Sequence, residues 1–202
     1  MRGRISVDIE TFSSVDINKS GLYKYVQSPD FSILLLAYSI DGGAVEIIDL
    51  TKSGLPIFVQ NLLLDPGYIK HAYNAAFEWY CLSKYFGLEE RERTEWLRQW
   101  RCTMMHSLYC GYVAKLEDAG KAIGLPQEKQ KLSTGKALIK TFCSLCKPSR
   151  SNGNRTRTLP EHEPERWNLF KEYCRQDVVT EMEIENRLSH FPVPDLLQEQ
   201  WV

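Results

Sequence analysis

The sequence has no apolar run long enough to cross a bilayer. Its longest, residues 31–40, stops at Asp41-Gly42-Gly43, well short of the roughly 20 residues a spanning helix needs. That run reads as a buried strand entering a turn. No apolar segment follows the opening Met-Arg-Gly-Arg, so the expectation is no secretory signal, no membrane partner and a cytoplasmic location. Neither sign of charge dominates: 25 Lys and Arg against 26 Asp and Glu give a net charge of −1, which excludes a chain that is basic all over. There is no internal repeat and no low-complexity tract. Of the six cysteines only Cys143 and Cys146 are closely spaced, and a structural zinc site usually needs a second pair. The cysteines therefore read as reduced residues of an intracellular core. A length of 202 residues suits one domain with ample interior.

What the sequence does contain is an opening strand, Arg4-Ile5-Ser6-Val7-Asp8-Ile9-Glu10-Thr11. At period two, Ile5, Val7 and Ile9 share one face, and Arg4, Ser6, Asp8 and Glu10 the other. Asp8 and Glu10 then project from one side, roughly 7 Å apart along the backbone. Carboxylates that close repel each other and resist desolvation unless a cation neutralises them. Oxygen donors on a rigid strand suit a hard ion such as Mg²⁺ or Mn²⁺. An edge strand with its polar face in water explains the same pattern.

Further along, residues 33–40 and 44–50 read as strands joined by a tight turn, 55–64 as a helix, and 68–73 as a fourth strand. Helices are expected over 75–85 and 89–99, a short strand over 100–103, and helices near 104–111, 115–123 and 132–142. Residues 147–160 read as a loop. The longest helix is expected over 164–188, ended by Phe191-Pro192-Val193-Pro194. Strands first, then alternating helices and strands, predict an α/β layer fold with a mixed sheet.

Two more acidic positions stand out. At about 100° per residue, Asp177 falls on the apolar stripe that contains Phe170, Cys174, Ile184 and Leu188, and Tyr173 borders that stripe one turn earlier. A lone acid on a core-facing stripe is costly unless partnered; a buried tyrosine bonded to a carboxylate is the plain explanation. Glu181 lies nearby too; a side chain reaching solvent nearer the helix end is its plain explanation. Asn74 is placed to cap the helix that follows the fourth strand, which puts Glu78 near the rim of the sheet. An acid there also suits the helix dipole. From Lys129 to Arg157 eight basic residues (Lys129, Lys131, Lys136, Lys140, Lys147, Arg150, Arg155 and Arg157) occur with no Asp or Glu between them. Such a stretch suits a phosphate backbone; a solvated face is the alternative.

Val7-Asp8-Ile9-Glu10-Thr11, Asn74-Ala75-Ala76-Phe77-Glu78 and Tyr173-Cys174-Arg175-Gln176-Asp177 resemble, in order and rough spacing, the three exonuclease motifs of the DEDD superfamily. The Tyr four residues before the last Asp is similar to the tyrosine subclass; the histidine subclass would have His where Glu172 stands. The likeness is closest to the proofreading domain of phage-type family A DNA polymerases, and Ser13-Ser14-Val15-Asp16-Ile17, Gly135-Lys136-Ala137-Leu138-Ile139 and Leu159-Pro160-Glu161-His162 share it. The resemblance departs at Glu78, where the family usually has Asp.

The resemblance implies a ribonuclease H-like, five-stranded mixed sheet flanked by helices, and a 3′–5′ exonuclease using two divalent cations, Mg²⁺ or Mn²⁺. Asp8 would bridge both ions, Glu10 and Asp177 would complete one site, and Glu78 would support the other. Tyr173 would orient the attacking water. Thr11, Asn74, Phe77, Lys136, Arg155 and Arg157 are candidates for holding a single-stranded DNA 3′ end, with a nucleoside monophosphate as product. A silent nucleic-acid-binding or polymerase-docking module of the same fold, and an RNA-directed exonuclease, are the rival expectations. Residues 1–190 are expected to form the nuclease domain and 191–202 the start of a linker to a polymerase module, in cis or in trans, making the chain a fragment or a truncated gene product with no polymerase activity of its own.

Overall fold

The computed structural model describes residues 3–130 and 135–202. Five strands, β1 (Gly3–Phe12), β2 (Ser32–Ile40), β3 (Glu46–Asp49), β4 (Tyr68–Ala72) and β5 (Trp100–Cys102), form one sheet in the order β3-β2-β1-β4-β5. β1 pairs antiparallel with β2 and parallel with β4. The outer pairs are antiparallel for β2–β3 and parallel for β4–β5. This is the mixed α/β sheet expected, consistent with a ribonuclease H-like fold. β1 is its central strand, paired on both edges, and a separate core packs on each of its faces. The alternation in its sequence therefore separates an apolar core from a polar seam, and not a core from water.

Ile5, Val7 and Ile9 join a core with Val26, Leu36, Leu82 and Trp100. On the opposite face Phe12, Leu35 and Ala37 pack with Phe142, Trp167, Phe170 and Cys174. The long helix, α8 (Pro164–Leu188), covers that second face and has the bounds its sequence predicts. Eight other helices are described: α1 (Ile17–Val26), α2 (Ile57–Leu64), α3 (Ala75–Phe86), α4 (Glu90–Leu97), α5 (Thr103–Tyr109), α6 (Leu116–Ala122), α7 (Gly135–Phe142) and α9 (Asp195–Trp201). The expected start of the 132–142 helix lies outside the described residues.

Two helices carry no clear periodic signal. α1 is broken at Gly21, whose φ of 76° and ψ of 167° are not helical, although Asp16 caps its start by accepting from the Asn18 N–H. α9 falls where a linker was expected; there Gln198 Nε2 donates to the Trp100 carbonyl at 3.1 Å and Trp201 packs against the core.

The polar face of β1 continues into the interior along α8. Glu181 does not reach solvent: it is 2% exposed and accepts a 2.5 Å bond from the Thr103 hydroxyl. Burial lifts its carboxyl to about 7. One turn on, Glu185 lies 2.9 Å from His106 Nδ1, while His106 Nε2 is 2.8 Å from the Phe191 carbonyl. Both partners accept, so only the imidazolium satisfies both nitrogens, and these bonds raise the His106 pKa. The same contact lowers Glu185, against the opposing effect of burial.

The raised His106 contributes fully below its unfolded value of 6.5 and loses that contribution as pH rises through its folded value. The lowered Glu185 contributes fully above 4.5 and loses it as pH falls through its folded value. Glu185→Gln is therefore expected to cost about 2 kcal/mol between pH 4.5 and 6.5, and less at pH 8.5, in urea unfolding. The quantity to compare is the difference between the two proteins. Buried His71, held down to about 4 chiefly by desolvation, makes both of them lose stability as pH falls below 6.5.

Candidate active site

The site forms where the polar face of β1 meets α8 and the start of α3. Carboxylate oxygens of Asp8, Glu10 and Asp177 all lie within 4.8 Å of one another. Glu10 and Asp177 are buried and Asp8 half-buried. The pairing register breaks between Glu10 and Thr11; such bulges bend a strand and re-aim its side chains. Three acids from the two ends of the chain thus offer a compact set of oxygen donors that could hold a divalent cation.

Glu78 enters from the first turn of α3 and is 4% exposed. It lines the same pocket of about 720 Å³ as the triad, although it is not one of the three acids within 4.8 Å. Burial, then the charge of Asp8, then those of Asp177 and Glu181, hold its carboxyl well above the ordinary range. Its Oε2 is buried with no hydrogen-bond partner. A buried, unsatisfied carboxylate oxygen beside three other acids is what a cation would relieve.

Tyr173, 1% exposed, stacks on Phe170 with ring centroids 6.1 Å apart. Burial, then the charges of Asp177, Glu10 and Asp8, raise its pKa far above 10, and its hydroxyl bonds Asp177. It is a neutral phenol. A Cβ added at Gly135 would meet the Tyr173 ring at 1.9 Å, so the start of α7 lies directly against that ring.

Of the other predicted residues, Thr11, Asn74 and Phe77 line the acid pocket. Thr11 is buried, and its hydroxyl is 2.8 Å from that of Tyr25. Asn74 occupies the N-cap position, but its side chain makes no capping bond. Lys136, Arg155 and Arg157 do not line this pocket. Arg155 pairs with Glu163 at 3.6 Å, and the Arg157 guanidinium sits 3.6 Å over the Phe12 ring. Lys131 lies outside the described residues.

Sequence reasoning missed two thiols here. Cys174 Sγ is 3.4 Å from Asp8 Oδ2, and Cys143 Sγ is 3.7 Å from Glu10 Oε2. Burial and the adjacent acids push both thiols well up. Cys146 instead bonds the Arg155 carbonyl at 3.3 Å, so the close pair in sequence diverges in space. Only the position of Cys174 on the α8 stripe signalled its place.

Among the described residues no helix is long and apolar enough to cross a membrane. No family model matches the chain, and no solved structure matches it significantly. Among curated proteins, a DNA polymerase of Bacillus phage SP02 is 46% identical to it over 198 residues. That similarity covers 98% of this chain, which spans 30% of the length of that polymerase.

Proposed function

We propose that this chain is a metal-dependent 3′–5′ exonuclease module of the DEDD type, acting on single-stranded or frayed DNA ends as a proofreading unit. The observation that carries the reading is the convergence of Asp8, Glu10 and Asp177 within 4.8 Å, beside the unsatisfied oxygen of Glu78. The similarity to part of a phage polymerase supports placing this activity beside DNA synthesis, with a polymerising module as partner. Residues 1–190 form the nuclease unit in this reading, and within 191–202 the helix α9 packs back onto it through Gln198 and Trp201.

The donor set is all carboxylate oxygen, which fits Mg²⁺ or Mn²⁺. Asp8, Glu10, Asp177 and Glu78 would hold such ions, which supply an activated water and neutralise charge on the phosphate. In the reaction a water oxygen bonds to phosphorus, the bond from phosphorus to the 3′ oxygen breaks, and the leaving oxygen takes up a proton. The product is a nucleoside 5′-monophosphate. Tyr173 stays neutral, so its role is orientation: it donates to Asp177, and its oxygen accepts from the attacking water. Thr11, Asn74 and Phe77, along the same pocket, hold the terminal nucleotide.

The test is release of mononucleotides from 3′-terminal DNA in Mg²⁺ or Mn²⁺. Binding without turnover in either metal would replace this reading with a silent docking module; faster hydrolysis of a matched RNA would make it a ribonuclease. Tyr173→Phe should slow hydrolysis about tenfold to a hundredfold at unchanged KM, since it removes only the hydroxyl that orients water.

Cation binding should also appear as stability. At free Mn²⁺ a hundredfold above its Kd the native state gains about 2.7 kcal/mol, measurable as a rise in Tm over EDTA. Asp177→Asn should lose most of that rise. In EDTA it should melt no lower than the wild type, because it removes one charge from a crowded acidic cluster.

A further inference from the structure

A second cleft, about 690 Å³ in volume, lies beside the acid pocket; the consecutive residues Phe142 and Cys143 line the one and the other. Its chemistry is the reverse of its neighbour's. Lys52, Arg157 and Lys171 line it against a single carboxylate, Glu161. The nearby Asp49 is already engaged by the Trp167 indole N–H at 2.8 Å and by Thr51. Asp30, whose charge also reaches Arg157, accepts from Ser28 and from the Ser14 N–H.

Arg157 is fixed in place, its guanidinium over Phe12 and one terminal nitrogen 3.3 Å from the Ser32 hydroxyl. Its Nε is buried with no hydrogen-bond partner. Leu34, Phe142 and Trp167, none more than 3% exposed, close its apolar floor, with the last two rings edge-on at 4.9 Å. Volume, apolar lining and charge together describe a ligand with an apolar part and an anionic part.

We propose that this cleft is a metal-independent nucleotide site, which takes a base in its apolar part, beside Pro160 and Pro164, and a phosphate among Lys52, Arg157 and Lys171. The nucleotide character of the ligand rests on the nuclease reading; the cleft itself does not use the acid triad. That contrast separates the two sites. Four carboxylates repel a phosphate unless a cation is present, whereas three cations attract it without one. The nucleotide can come from a free monophosphate or from a further unit of the bound strand.

The test is calorimetric titration of the whole chain with dAMP in EDTA, where hydrolysis is silent. The wild type should bind, and Asp8→Asn should bind equally. Lys52→Glu combined with Lys171→Glu, one change at an exposed and one at a half-buried position, with folding checked by Tm, should bind at least tenfold more weakly. A dT tetranucleotide titrated alongside identifies the source: weakening by the same pair and competition with dAMP mark a unit of the strand, and dAMP binding alone marks the free nucleotide. Three outcomes overturn the proposal: no binding of millimolar dAMP in EDTA, equal affinity in the lysine pair variant, or binding that needs Mn²⁺ and vanishes in Asp8→Asn. None of these depends on whether the acid pocket hydrolyses DNA, which the release assay reads separately.

Discussion

Asp8→Asn is expected to reduce mononucleotide release in Mg²⁺ by at least about 10³-fold, with little change in stability. The substitution keeps the shape of the side chain and removes its charge. Asp8 is the half-buried member of the triad: it shares the 4.8 Å cluster with Glu10 and Asp177, its charge is the largest acting on Glu78, and its carboxylate contacts the Cys174 thiol. An amide there offers one neutral oxygen and an N–H₂ group that points hydrogens at a cation site. Charge stabilisation by a bound cation is worth several kcal/mol of barrier, and about 1.4 kcal/mol corresponds to tenfold in rate. Losing about 4 kcal/mol therefore gives the stated factor. Stability should hold because the triad is a cluster of like charges, and one charge fewer relieves repulsion in the metal-free protein. Single-turnover release from a labelled oligonucleotide, at saturating protein, reads the effect without interference from binding. Near-wild-type turnover by a folded Asp8→Asn chain would remove the acid pocket from the chemistry.

Glu78→Asp is a milder change that bears on the one motif position where the resemblance breaks. The extra methylene of Glu78 lets a side chain from the first turn of α3 reach the pocket while its Oε2 stays buried and unsatisfied.

The site residues that could be read from the sequence are those set by local periodicity. Strand alternation alone puts Asp8 and Glu10 on one face, and the helical stripe alone puts Tyr173 and Asp177 against the sheet. The bounds of α8 were legible because Pro164 opens it and a Pro-containing segment follows it. What escaped depends on partners distant in sequence. Glu181 lies on the same stripe as Asp177, yet its burial makes sense only once Thr103, on another helix, supplies a hydroxyl. The basic stretch reads as one surface, but its members separate: Arg155 turns to Glu163 and Arg157 to Phe12. Neither contact has a signature in composition. α1 was hidden by Gly21, whose non-helical backbone splits a short pattern into two shorter ones. Both faces of β1 are buried because one core with α3 covers one side and another with α8 covers the other, and that layering is a property of the whole chain.

Gly135 gives the second large effect, and its cause is close approach. Its backbone is not among the left-handed glycines; what it lacks is room. A Cβ there would come within 1.9 Å of one Tyr173 ring carbon and 2.4 Å of another, and the ring is held by its stack on Phe170 in a nearly fully buried site. Gly135→Ala must therefore move the ring or lift the start of α7. Overpacking of this kind costs about 1–3 kcal/mol and sometimes more; with a rigid aromatic as the obstacle, about 3 kcal/mol is expected in urea unfolding. Activity should fall at least as far as in Tyr173→Phe, because a displaced ring misplaces the hydroxyl that Tyr173→Phe only deletes. A double-mutant cycle isolates the contact. In a Tyr173→Ala background the obstacle is gone, so Gly135→Ala should then cost little and, through higher helix propensity, even recover some stability. An equal cost in both backgrounds would mean that Gly135 acts through something other than the Tyr173 ring, and the positioning of that phenol by α7 would have to be abandoned.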